Sequence, residues 1–302
     1  MKAWKATMSV WWEVLRMNKL LSAEFIRLGK SLVYKLGLLF SGGLAAFIIL
    51  VRWSDMKLHP ELFGEGGLET THADGLLFVG ALYMIFVIAV VIGIFVGTEY
   101  SDGTIRNKMT AGHTRSSIYL SKLIVSSVAA VSIQLLYVLT VWGLGTLLIG
   151  GTSTSVKDIL LLELTSMAVT VALTAILLLF AMLIQSKAVG SVACLLAVII
   201  MLFSALMIWQ RLDAPEYYEA YSYVDEDSGE TIEVEREKNH NYLTGTKREV
   251  YEFLNEFLPV SQLYQIAMEC TQRLGYMVLY DCAIVLVSTG AGILAFRKKN
   301  LK

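Results

Sequence analysis

Most of the features that would assign this chain a chemistry are missing from it. No Gly-x-x-x-x-Gly-Lys-[Ser/Thr] phosphate loop occurs. The nearest approach, Gly29-Lys30-Ser31, has Glu24 where the first glycine belongs and lies in a helical stretch, not at a strand-to-helix turn. Neither His-Glu-x-x-His nor Gly-x-Ser-x-Gly is present, so no catalytic site is nominated. The three cysteines, Cys194, Cys270 and Cys282, have no metal-type spacing. Cys194 reads as a small buried residue inside an apolar run, while Cys270 and Cys282 stay open as a pair or as free thiols. His59, His72 and Asp74 share one loop without ligand spacing, the pattern of solvated side chains. No basic cluster interleaved with aromatics suggests a nucleic-acid surface, and residues 1–30 lack the short apolar core and cleavage site of a signal peptide.

Charge is scarce as well. Only 17% of the 302 residues are charged and 56% are hydrophobic, with a mean hydropathy of +0.60, too apolar for an ordinary soluble domain. The apolar length is organised in six runs, about Leu36–Val51, Leu76–Val96, Leu123–Ile149, Leu164–Ile184, Ala188–Trp209 and Tyr276–Phe296. Each meets or approaches the ~20 residues a helix needs to cross a bilayer. Before them, Ser9 to Lys30 carries Leu21, Phe25, Leu28 and Leu32 at helical spacing with Lys19, Arg27 and Lys30 between, the pattern of a helix lying at the lipid boundary.

The expected fold is therefore an all-α polytopic membrane protein. It divides into 1–35 with the amphipathic helix, 36–209 with five spans, 210–275 as an extramembrane segment, and 276–302 with the sixth span and a basic tail. With the N-terminus inside, that side holds 16 Lys and Arg against 9 on the other, so both termini are expected to be cytoplasmic. Ionisable groups within a span cost about 3 kcal/mol each and mark ion-coupled carriers. Only Glu163 and Asp281 come near, and both are expected to reach the interface.

The most informative polar stretch is 97–122, GTEYSDGTIRNKMTAGHTRSSIYLSK, between the second and third spans. Ser101 and Asp102 offer caps to a short helix over 104–111, Gly112 can end it in the left-handed conformation, and Thr114 can cap the next. Arg106 and Lys108 are expected to keep this knuckle in water, while Ile105 and Met109, four apart, give it a docking face. Glu99 and Tyr100 fall where the second span meets water. Glu99 is expected to pair with Arg27 or Lys30.

An apolar span ending in Thr-Glu-Tyr-Ser-Asp-Gly-Thr-Ile-Arg-Asn, then Gly-His-Thr-Arg and Ser-Lys, resembles the ABC type-2 transporter permeases. The resemblance implies that the stretch Glu99, Tyr100, Ser101, Asp102, Gly103, Thr104, Ile105, Arg106, Asn107, Lys108 and Met109 is a coupling helix with its flank, fitted into a separate cytoplasmic ABC ATPase. It implies an N-terminal elbow helix, no cofactor bound by this chain (ATP and Mg belong to the ATPase) and no enzyme activity of its own. It further implies a second permease subunit, identical or not, and a multi-pass place in the plasma membrane of a bacterial cell. In that family the first and fifth spans meet at the seam, which makes Gly42 and Ala46 candidates for it. Four-residue spacing of small residues also serves packing within one chain, there and at Gly93 and Gly97.

The segment 210–275 carries fourteen acids against six bases. Tyr221 to Glu235 alternates around Asp-Ser-Gly, which predicts a hairpin. Helix is expected over 247–258 and, after Pro259, over 262–272. Phe257 to Leu263 resembles the short re-entrant helices that the family places before its last span. An acidic exterior and apolar spans favour a hydrophobic or amphipathic peptide or drug as substrate. Two other classes fit the same composition, an ATP-independent channel or carrier and a membrane sensor or immunity protein.

Overall fold

The computed structural model describes residues 2–63, 72–224, 231–271 and 273–300, with residues 2–15, 224, 232 and 233 described by their backbone alone. In chain order the helices are α1 (Lys2–Lys30), α2 (Leu32–Leu58), α3 (Asp74–Ser101), α4 (Thr104–Thr110), α5 (Arg115–Leu148), α6 (Val156–Leu183), α7 (Lys187–Asp213), α8 (Gly245–Phe257), α9 (Pro259–Ala267) and α10 (Leu274–Lys298). Six of them, α2, α3, α5, α6, α7 and α10, are long and apolar enough to cross a membrane. Each extends beyond the apolar run that announces it, because a helix continues into the interface where polar side chains are solvated.

The spans differ in how much of their surface the chain itself covers. α3 is apolar all round and lies at the centre, packed on α2, α5, α6, α7 and α9, as a helix without a polar face must be. α2, α7 and α10 are peripheral, with Phe40, Phe47, Phe203, Met207, Leu286 and Val287 turned outward. In a chain of membrane spans such faces belong to lipid or to another subunit.

The spacing of Gly93 and Gly97 has its explanation within the chain. A methyl group on Gly93 would lie 2.6 Å from Ser191 Cα, and one on Gly97 2.7 Å from Lys187 Cα. The two glycines let α3 and α7 approach backbone to backbone. Gly42 likewise faces the chain's own α5, near Leu136 and Thr140, and Ala46 is half-covered. The uncovered side of α2 is that of Leu39, Phe40, Gly43, Phe47 and Leu50.

At the end of the bundle remote from α4, β2 (Tyr221–Val224) pairs antiparallel with β3 (Thr231–Val234), and β1 (Tyr217–Tyr218) with β4 (Glu237–Lys238). The Asp-Ser-Gly turn expected between β2 and β3 lies outside the described residues. Pro259 starts α9 at its first turn, where its missing N–H costs nothing, and α9 ends at Ala267, earlier than its apolar pattern suggested. Its Val260, Leu263 and Ile266 are buried among α3, α6 and α7. Cys270 and Cys282 are exposed free thiols.

Glu163 and Asp281 do not reach the surface as expected. They are 6% and 1% exposed, and neither Asp281 oxygen has a hydrogen-bond partner among the described residues. Their helices pack on each other along their length, so the neighbouring helix covers the route that a side chain would take to the interface.

Candidate functional site

The knuckle after α3 is built by two glycines. α3 runs on through Ser101, whose hydroxyl donates back to the Gly97 carbonyl at 3.3 Å, and Asp102 closes the helix. Neither caps α4, contrary to expectation. Gly103 occupies the cap position with φ 67° and no side-chain bond, a left-handed backbone that glycine adopts at no steric cost. α4 ends as its composition predicts. Gly112, with φ 86°, donates to the Met109 carbonyl at 2.9 Å, and His113 donates to the Lys108 carbonyl at 3.1 Å, together a Schellman termination. Thr114 then caps α5, its hydroxyl accepting from the Ser117 N–H at 3.1 Å.

The faces of α4 are the reverse of the expected ones. Ile105 is 1% exposed and sits in the main apolar core, with Met109 packed against the same core. A docking surface cannot use a residue that the chain already covers. Arg106, Asn107, Thr110 and Ala111 are the exposed residues. Lys108, expected in water, turns inward.

What Lys108 reaches is a largely buried cluster of five charges from four helices, with Arg27 at its partly exposed edge. Its ammonium donates to Glu24 Oε1 of α1 and to Glu99 Oε1 of α3. Lys122 of α5, fully buried, donates to Glu24 Oε2 and stands 2.6 Å from Glu99 Oε1. Arg27 of α1 brings Nε to 3.0 Å from Glu99 Oε1, a charge contact without hydrogen-bond alignment, and to 3.5 Å from Glu24 Oε2. Its guanidinium also lies 3.8 Å above the Phe95 ring and donates to the Phe95 carbonyl at 3.2 Å. Burial works to raise the Glu24 carboxyl, but the ammonium groups of Lys122 and Lys108 outweigh it and hold it below its ordinary value.

Taking such charges out of water costs several kcal/mol per ion and is repaid only by close mutual pairing. Three cations around two carboxylates supply that pairing, and they do so only while α1, α3, α4 and α5 keep their places. The pairing proposed for Glu99 with Arg27 is present, while Lys30 is exposed and takes no part. Glu24, Lys108 and Lys122 are the members that sequence reasoning missed. The buried stripe of α1 is Leu20, Glu24 and Leu28; of the expected stripe Leu28 is buried and Leu21 packs on the core, while Phe25 and, at the start of α2, Leu32 are turned out. A carboxylate spaced four residues from a leucine on each side was the available signal.

Tyr100, expected as an interfacial anchor, joins α3 to α6 through a bond from its hydroxyl to the Met182 carbonyl at 2.5 Å. Lys299 donates to the carbonyls of Met182 and Leu183 at the end of the same helix, at 3.0 and 2.5 Å. Arg115 of α5 donates to the carbonyls of Phe296, Arg297 and Lys299 at 2.9, 2.8 and 2.6 Å. The ends of α3, α5, α6 and α10 around α4 are thus tied to one another by directed bonds.

Compared with known protein families, the chain matches over residues 20–210 the family described as ABC-2 family transporter protein. The match begins at the buried Leu20 of α1 and runs through α4 into the last turn of α7, so the charge cluster lies wholly inside it. No curated protein matches the chain.

Proposed function

Because the chain belongs to the ABC-2 transporter family, we propose that it is the permease subunit of an exporter whose ATP is hydrolysed on a separate subunit. The observation that carries this reading is the five-charge cluster behind α4. An element meant to transmit force needs a yielding partner on one side and a rigid attachment on the other. α4 has exposed polar residues, Arg106 and Asn107, on one side, and on the other Ile105 in the core with Lys108 clasped to Glu24 and Glu99. A push on α4 therefore moves α1, α3 and α5 with it.

In this reading α4 and both termini face the cytoplasm, the side that the excess of Lys and Arg favours. The ATPase holds ATP and Mg and seats α4 in a cleft. A second permease subunit lies against the outward apolar side of α2, and closure of the ATPases on nucleotide shifts the pair between two membrane conformations. Such a shift requires ATP-dependent contacts that differ between the two states, and α4 supplies them. The acidic segment between α7 and α10 faces outside and favours a cationic, amphipathic peptide or drug.

Isolation of the tagged full chain from its own membranes in mild detergent is expected to bring with it a subunit that hydrolyses ATP. Reconstituted alone, the chain should move nothing with or without nucleotide. Flux by the chain alone, or the absence of any ATPase from the isolated complex, would contradict the proposal.

A further inference from the structure

A second polar site lies beside α4 and plays no part in the cluster above. A cavity of about 520 Å³ opens where α1, α5 and α10 come together, lined by Arg16, His113, Thr114, Arg115, Ser116 and Arg297 among others. Three guanidinium groups from three helices line it, and none of its described lining residues is a carboxylate. None of the ion pairs among the described residues includes Arg16, Arg115 or Arg297. The bases are held in position all the same. Arg115 spends one nitrogen, Nη1, on the three carbonyls at the end of α10, and Arg297 donates through Nε and Nη2 to Ser116 Oγ at 3.0 and 2.8 Å. Like charges gathered in one concavity repel, and among the described residues no carboxylate lies there to offset them.

From this geometry we propose that the cavity binds the phosphate of an anionic phospholipid headgroup. Planar guanidinium groups match phosphate oxygens in pairs, and the hydroxyls of Thr114 and Ser116 complete a polar wall. The cavity's place at the ends of two spans favours a lipid over a soluble anion. It lies at the first turn of α5 and the last turn of α10, two spans whose buried apolar residues begin close by, at Ile118 and Phe296. That is the level of headgroups, and basic pockets between spans at this level recognise anionic lipids. A bound phosphate would join α1, α5 and the last turn of α10, and so brace the frame around α4. The proposal does not depend on how α4 is driven.

The test uses the full chain purified into nanodiscs of phosphatidylcholine containing a minor fraction of spin-labelled phosphatidylglycerol. The chain is expected to hold phosphatidylglycerol in preference to labelled phosphatidylcholine, and the preference should fall roughly fivefold for each guanidinium lost in Arg16→Gln and Arg297→Gln. Arg297→Lys, which keeps the charge, should retain most of it and serves as the check that the fold survives. Equal retention of the two lipids, or a preference unchanged in the double variant Arg16→Gln/Arg297→Gln, would overturn the proposal. So would displacement of the labelled lipid by millimolar inorganic phosphate, which would mark the site as one for a free anion.

Discussion

Glu99→Gln is expected to lower the stability of the purified chain by about 3–5 kcal/mol, the usual cost of leaving buried charge without its partner. The reasoning follows from the count of charges. Glu24 and Glu99, both buried, face Arg27, Lys108 and Lys122 (two anions and three cations), of which Lys122 is fully buried and Arg27 and Lys108 are partly exposed. Neutralising Glu99 leaves one carboxylate to hold three cations. Neutralising a cation has the opposite effect, because Lys122→Met brings the cluster to electrical balance with a side chain of similar reach. Lys122→Met should therefore cost much less than Glu99→Gln, and the double variant should lie closer to wild type than Glu99→Gln alone. Unfolding in mixed micelles by increasing SDS measures all three. If Lys122→Met proves the costlier single change, the charges are not arranged as described.

Substitutions on α4 should separate folding from coupling. Arg106 is exposed and Ile105 is 1% exposed, though the two are adjacent in the chain. Arg106→Glu is expected to leave expression, elution and thermal midpoint unchanged, as exposed substitutions usually do within about 0.5 kcal/mol. On the proposed function it should nonetheless weaken binding of the ATPase by tenfold or more, about 1.4 kcal/mol, the loss found at a central interface arginine. ATP-driven transport should fall with it. Ile105→Asp places a carboxylate in the apolar core and should fail earlier, as protein that does not accumulate in the membrane. Full transport by Arg106→Glu would remove α4 from the coupling path. Wild-type accumulation of Ile105→Asp would contradict its burial.

The parts of this structure that were legible in the sequence are those governed by local chemistry. Six spans follow from apolar length, and Gly112 and Thr114 end and start their helices by backbone rules that act within a few residues. Where the reading missed, the deciding contact lies far along the chain. Whether Ile105 faced a partner or its own core depends on α3 and α5, and a seven-residue helix carries too few turns to show it. Lys108 and Lys122 looked like flanking cations because Glu24, their common partner, is 84 and 98 residues away. Glu24 itself drew notice only as the residue that spoils a phosphate loop. Gly42 and Gly93 have the spacing for close helix contact, yet spacing alone does not say which helix comes close. Ser101 and Asp102 have capping side chains, but α3 continues over them and hands the turn to Gly103.

The central claim is that α4 is a lever at the cytoplasmic face, covered by a nucleotide-hydrolysing partner. Asn107 is its exposed midpoint, and replacing Cys270 and Cys282 with serine leaves only the buried Cys194. In that background Asn107→Cys should resist a membrane-impermeant maleimide applied to intact cells. It should react in inside-out vesicles, and it should be protected there when the ATPase is bound. Labelling of Asn107→Cys from outside intact cells would contradict the account.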